Sequence, residues 1–185
     1  MKLNKFNILL GSLLSFITIV LFILQKDIKI LLLLIFLILP FIIKLKANYT
    51  LIYLIFGYLG LSGFIFHLYK TIFWYDSFVH FIWGIVSGLL SIYVLIKLKM
   101  FEEKNILFNL IFIISFSLSL SCLWEMFEFL SDNVFNSDMQ RLKTGVFDTM
   151  KDIIIAFFGN ILFILWFYYE YKNNQELLIK KFINY

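Results

Sequence analysis

Three pairs of potential metal ligands occur at helical spacing along the chain. The pairs are Asp76 and His80, Glu125 and Glu128, and Asp148 and Asp152. A spacing of three or four residues places both members of a pair on one face of a helix. Carboxylates with one imidazole suit Mg²⁺, Mn²⁺, Fe or Zn²⁺. The spacing therefore predicts a divalent-metal site to which all three pairs contribute ligands.

The segments that carry these pairs are strongly apolar. The chain is 62% hydrophobic and only 15% charged, with a mean hydropathy of +0.93, whereas about 25% of residues in a soluble domain are charged. This composition excludes soluble enzyme folds and disordered tails. The lone cysteine, Cys122, excludes an intramolecular disulfide. We therefore predict an all-α, polytopic transmembrane helical bundle.

Six apolar stretches approach the length of about 20 residues that a spanning helix needs. They cover residues 7–25, 28–43, 49–69, 76–96, 105–130 and 147–169. The first has the basic flank of a secretory signal, but no cleavage site follows it, so we interpret it as a retained helix. No internal repeat or linker interrupts the series, which predicts a single bundle over residues 1–185.

The basic residues predict the orientation. With six spans, ten of the sixteen lysines and arginines fall on the side that carries both termini. The positive-inside rule then places both termini in the cytoplasm. The net charge of +4 is an ordinary result of this bias, and we predict no nucleic-acid binding.

Most of the acidic residues gather at one end of the last three spans. Seven of the twelve lie at the non-cytoplasmic ends of spans 4 to 6 or in the loop between spans 5 and 6: Asp76, Glu125, Glu128, Asp132, Asp138, Asp148 and Asp152. The other five lie beside lysines in loops or tails, where we expect them to be solvated: Asp27, Glu102, Glu103, Glu170 and Glu176. Each pair also continues into a stripe of small and polar residues, so we expect the three stripes to face one another inside the bundle.

Simpler roles are open for individual residues. Asp76 and Asp148 also suit helix N-caps, and a single buried histidine often has a structural role. Lys151 or Arg141 is able to neutralise one or two carboxylates. Five carboxylates are harder to balance, because each charge costs about 2.5–3.5 kcal/mol at membrane depth. We therefore favour a metal or substrate site over a purely structural cluster.

The motifs resemble those of a known family. The segments YDSFVH (75–80), WEMFE (124–128) and DTMKD (148–152), with Gly84 and Gly159, resemble the bacterial six-span inner-membrane proteins of the YjdF type. They are more distantly similar to VanZ-like glycopeptide-resistance proteins, although Ser77 replaces the usual lysine of that pattern. The resemblance implies a location in the bacterial inner membrane and marks the three pairs, but it implies no particular reaction.

Our leading hypothesis is a divalent-metal-dependent hydrolase or transferase that acts on a lipid or lipid-linked head group at the outer membrane face. Glu125, Asp152 and His80 are the candidate catalytic residues, and a water activated by the ion is the nucleophile. The candidate substrate contacts are Arg141, Lys143, Lys151, Trp74 and Trp124. The loop over residues 131–146 is a candidate lid.

Two other functions are open. The polar stripes are also compatible with an ion- or proton-coupled transporter. The absence of an ionisable residue at mid-depth and of an inverted repeat counts against that function. The third possibility is a membrane assembly or scaffold protein whose acidic cluster binds a partner.

Overall fold

The computed structural model describes residues 5–25, 29–43, 45–102, 105–137, 139–140 and 145–173. Within these ranges every regular element is a helix, so the predicted all-α class is confirmed. The helices are α1 (Lys5–Gln25), α2 (Lys29–Ile42), α3 (Ala47–Ile65), α4 (Leu68–Thr71), α5 (Tyr75–Lys97), α6 (Ile106–Phe135) and α7 (Val146–Lys172). By length and composition, α1, α5, α6 and α7 are able to cross a membrane, whereas α2 and α3 are shorter apolar helices.

Two helix ends differ by four or five residues from the predicted spans. The third span was expected to reach residue 69, but α3 ends at Ile65 because His67 adopts a left-handed conformation with φ of 56°. The fifth span was expected to end at residue 130, but α6 continues to Phe135. Asn136 ends it in a left-handed conformation that asparagine tolerates, and its backbone N–H donates to the Asp132 carbonyl.

The described residues divide into two compact units, one up to Tyr75 and one from Asp76 onward. The first unit contains α1 to α4. Its buried apolar core is formed by Ile30, Leu33, Leu37, Leu54 and Ile65. The expectation of a single bundle over the whole chain stays a prediction.

The second unit contains α5, α6 and α7, and the backbones of α5 and α7 approach each other closely. A Cβ atom at Gly84 would overlap the carbonyl oxygen of Ala156, and one at Gly159 would overlap the carbonyl oxygen of Phe81. The Ser87 and Ser117 hydroxyls, 2.5 Å apart, connect α5 to α6. The small and polar stripes of the three helices therefore face one another, as their spacing predicts.

An apolar layer closes the second unit on the side away from the acidic pairs. Its buried core consists of Ile92, Ile113, Phe163 and Phe167. Glu170 follows on the same face of α7 and is only 2% exposed. The expectation that Glu170 is solvated is wrong, because α7 continues to Lys172 and keeps this side chain on the inner face of the helix.

The close contact at Gly84 makes a testable prediction. We expect Gly84→Ala to lower the free energy of unfolding by about 1–3 kcal/mol, because the added methyl group forces α5 away from α7. The measurement is the thermal unfolding of the protein purified in detergent. Gly60→Ala is the matched control, since a Cβ at Gly60 meets only the Tyr69 hydroxyl, at 4.0 Å. An unchanged midpoint for Gly84→Ala would contradict the close contact.

Candidate metal centre

Candidate ligands from the first turns of α5 and α7 and from the interior of α6 lie close together. Asp76 lies in the first turn of α5 and His80 lies one turn later. Asp148 lies in the first turn of α7, with Asp152 one turn later. All four side chains are buried, as is Glu125 of α6. The i, i+4 spacing on α5 and α7 thus directs both pairs into the same interior region.

The capping alternative does not account for the two aspartates. Because α5 begins at Tyr75, Asp76 is its second residue and not its N-cap. The N-cap of α7 is Gly145, three residues before Asp148. Both aspartates are therefore inside their helices.

His80 lies between three carboxylates. Its Nε2 atom is 3.6 Å from Oδ1 of Asp76 and 3.9 Å from Oδ2 of Asp152. Its Nδ1 atom is 4.0 Å from Oε1 of Glu125. The imidazole therefore joins α5 to both of the other helices of the unit.

Lys151 neutralises part of this acidic group. Its Nζ atom is 2.8 Å from Oδ1 of Asp148, 3.3 Å from Oδ1 of Asp152 and 3.5 Å from Oδ2 of Asp76. The lysine side chain is 26% exposed, whereas the three carboxylates are nearly buried. Lys151 was expected to contact substrate or to pair with one or two carboxylates, and the structure pairs it with three.

Asp76, His80 and Asp152 form a group with the spacing of metal ligands. One ligand atom from each residue lies within 4.8 Å of the other two. Ligands at about 2.1 Å from a tetrahedral metal ion lie about 3.4 Å apart. The His80 separations are 3.6 and 3.9 Å and all three ligand atoms lie within 4.8 Å, so holding an ion would require the side chains to move inward by up to about 1.4 Å.

The other three predicted ligands have different surroundings. Asp148 pairs with Lys151. Glu128 is half-buried, and one of its carboxylate oxygens accepts a 2.7 Å hydrogen bond from Nε1 of Trp124 on the same helix. Glu125 is 4% exposed, and its carboxylate lies within reach of the Thr149 side chain but accepts no hydrogen bond of standard length from the described residues. Ligand roles for these three residues stay predictions.

The loop after α6 is held against the site by residues whose contacts the sequence did not reveal. The Asp132 carboxylate accepts hydrogen bonds from the Ser137 hydroxyl and from the backbone N–H groups of Met139 and Gln140. The Gln140 side chain donates to the Glu125 carbonyl at 3.4 Å and to the Thr149 hydroxyl at 3.0 Å. The loop therefore contacts both α6 and α7, but no spacing pattern marks such contacts in an irregular segment.

The predicted substrate contacts are only partly described. Arg141 and Lys143 lie outside the described residues, as does Asp138. Trp124 is 43% exposed on α6, and Trp74 is 51% exposed just before α5 begins. Their contact with substrate stays a prediction.

The hydrogen bonds of Asp132 allow a test of the loop. We expect Asp132→Ala to speed hydrogen exchange of the Met139 and Gln140 amides by about 10- to 100-fold, since hydrogen bonds to a charged group contribute about 1.5–3 kcal/mol. Exchange is measured by mass spectrometry. Asn133→Ala is the control, because the Asn133 side chain donates a hydrogen bond to the Phe129 carbonyl of its own helix. Equal exchange in both variants would show that Asp132 does not hold the loop.

Comparison with known proteins gives a family for this arrangement. A family model described as "Predicted membrane protein (DUF2238)" matches residues 6–173, a range that includes all three pairs. No significant match was found among curated proteins or among solved structures. The more distant likeness to VanZ-like proteins stays a prediction. With its apolar helices and a match over nearly its whole length, the chain belongs to the DUF2238 family of predicted membrane proteins.

Proposed function

We propose that this membrane protein binds a divalent metal ion through Asp76, His80 and Asp152 and uses it to hydrolyse or transfer a lipid or lipid-linked head group at the outer membrane face. The observation that carries the proposal is the group of three ligand atoms within 4.8 Å of one another. The three residues are at most 8% exposed. Two carboxylates and one imidazole suit Mn²⁺, Zn²⁺ or Fe²⁺.

The charge of the region supports a bound cation. Among the residues that the structure describes, four buried carboxylates, those of Asp76, Glu125, Asp148 and Asp152, surround one lysine and one imidazole. Lys151 supplies a single positive charge, which three of the carboxylates share. Because buried charges need partners, a divalent ion would stabilise the remaining negative charge.

The proposed hydrolysis or transfer depends on the metal ion and on Lys151 beside it. A divalent ion polarises a phosphoryl or carbonyl oxygen and makes bound water a stronger nucleophile. Lys151 lies beside two of the proposed ligands and is partly exposed, so it is able to contact an anionic substrate. The N-termini of α5 and α7 also favour negative charge at this end of the unit.

The surroundings of the site favour a lipid substrate. Apolar side chains next to the site residues on α6 and α7 are exposed, including Phe127, Phe147 and Met150. In the opposite direction, the buried layer with Ile92, Ile113, Phe163 and Phe167 follows the polar region. This layer favours chemistry on a head group over passage of an ion through the unit.

Metal binding gives the first test. We expect the protein, after treatment with a chelator, to bind one equivalent of Mn²⁺ or Zn²⁺ and to gain thermal stability, by about 2.7 kcal/mol when the free ion is at 100 times Kd. Asp152→Asn and His80→Gln should each weaken binding by at least tenfold. The measurements are calorimetric titration and thermal unfolding. Glu170→Gln is the matched control, since it removes a buried carboxylate from the far end of the same helix.

If the carboxylates, Lys151 and His80 form an ion-pair network that binds no metal ion, the measurements will differ. In that case neither ion binds stoichiometrically, and the chelator leaves the unfolding midpoint unchanged. Asp152→Asn would then change stability alone. That outcome would contradict the proposed metal site.

Turnover gives the second test. We expect the purified protein with Mn²⁺ or Zn²⁺ to convert a component of a bacterial lipid extract, as detected by mass spectrometry. Conversion should fall at least 100-fold in His80→Gln and stay unchanged in Glu170→Gln. Ion flux into proteoliposomes without lipid conversion would instead support the transporter. A co-purifying membrane protein retained by His80→Ala, again without conversion, would support the scaffold.

A further inference from the structure

The two nitrogen atoms of His80 face different partners. Nε2 faces Asp76 and Asp152, the two carboxylates of the proposed metal group. Nδ1 faces Glu125 of α6. Because the lone pairs of an imidazole diverge, one ion is bound through only one of these nitrogens. An ion held with Asp76 and Asp152 is therefore on the Nε2 side, and Glu125 is across the ring from it.

We propose that Glu125 is a positioning residue for His80 and not a metal ligand. This inference rests on the proposed metal site. In the metal-bound protein, Nδ1–H of His80 donates a hydrogen bond to the Glu125 carboxylate, which keeps Nε2 free of a proton and directed at the ion. A carboxylate bonded to the second nitrogen of a ligating histidine is a common feature of metal sites.

The state of Glu125 supports this role. It is 4% exposed, its carboxylate lies within reach of the Thr149 side chain but accepts no hydrogen bond of standard length from the described residues, and Oε1 is 4.0 Å from Nδ1 of His80. The 4.0 Å separation is about 1 Å longer than a hydrogen bond. A movement of the Glu125 side chain or of α6 toward Nδ1 would close this gap, whereas a shift of the ring toward the ion would widen it.

Two other carboxylates of the three pairs have hydrogen-bond or ion-pair partners of their own. On α6, Glu128 bonds to Trp124 of its own helix. On α7, Asp148 pairs with Lys151. The backbone carbonyl of Glu125 accepts a hydrogen bond from Gln140, which also contacts Thr149 of α7. The loop therefore helps to hold the helical turn that carries Glu125 against α7.

The histidine content of the chain makes a direct test practical. The chain has only two histidines, His67 and His80. His67→Asn, chosen because His67 is left-handed and asparagine tolerates that conformation, leaves His80 as the single imidazole. The full-length variant, carrying a tag without histidine, is labelled with ¹⁵N-histidine, and nitrogen NMR spectra are recorded without and with Zn²⁺.

We expect Zn²⁺ to shift the Nε2 resonance to the range of a metal-bound nitrogen while Nδ1 stays protonated. Glu125→Ala should weaken Zn²⁺ binding about 10- to 100-fold, keep one ion per protein and reduce the Nδ1–H population. Glu125→Gln retains a hydrogen-bond acceptor, so it should restore the Nδ1–H signal and part of the affinity. It also tests the role if Glu125→Ala does not fold. Glu170→Gln is the control, since it removes a buried carboxylate far from the site, and it should change neither property.

Three results would overturn the inference. The first is binding of Zn²⁺ through Nδ1. The second is loss of stoichiometric binding in both Glu125 variants, which would make Glu125 a ligand. The third is an unchanged spectrum and affinity in both variants. Failure of the metal site itself is distinguishable, because Zn²⁺ would then shift neither nitrogen in the protein that retains Glu125.

Discussion

The close approach of α5 and α7 is the constraint on which the candidate site depends. Gly84 lies one turn beyond His80, and Ala156 lies one turn beyond Asp152. At this level the Ala156 carbonyl lies against Gly84, and no side chain separates the two helices. Small residues at helix contacts allow such proximity in membrane proteins. Any widening here would increase the 3.9 Å separation between Nε2 of His80 and Oδ2 of Asp152.

The close approach of the helices brings several buried carboxylates together, and their negative charges repel one another. Hydrocarbon provides no partners for a carboxylate, so charged groups at this end of the unit depend on one another. Lys151 is well placed because it is three residues after Asp148 and adjacent to Asp152. It contacts Asp76 as well, whereas the ion-pair partner of Glu125 among the described residues is His80. Within the described part of the chain, one lysine and one imidazole thus meet four carboxylates, a charge balance that a divalent ion would improve.

The sequence predicted the faces of the helices better than their ends or their loop. Residues three and four apart share a helix face whatever the fold, so the convergence of His80 with Glu125 and Asp152 followed from spacing. The end of α3 at Ile65, two residues before the left-handed His67, did not follow from the sequence, because hydropathy does not indicate where a residue adopts a left-handed conformation. The contact of Gln140 with Glu125 depends on how an irregular loop folds around Asp132. The reach of Lys151 to Asp76 depends on the relative rotation of two helices, which spacing along one helix does not determine.

The position of the candidate ligands along α5 and α7 determines how far the site lies from the apolar layer. The candidate ligands occupy the first two turns of α5 and α7, and the hydroxyls of Ser87 and Ser117 lie deeper. Phe163 of the apolar layer is about 16 Å further along α7 than Asp152, from the rise per residue of a helix. A reaction at the ligand group needs water from the aqueous side and a head group from the lipid side. If this end of the helices lies at the membrane surface, as the predicted orientation places it, both would be within reach and the proposed chemistry would require no polar path past Phe163.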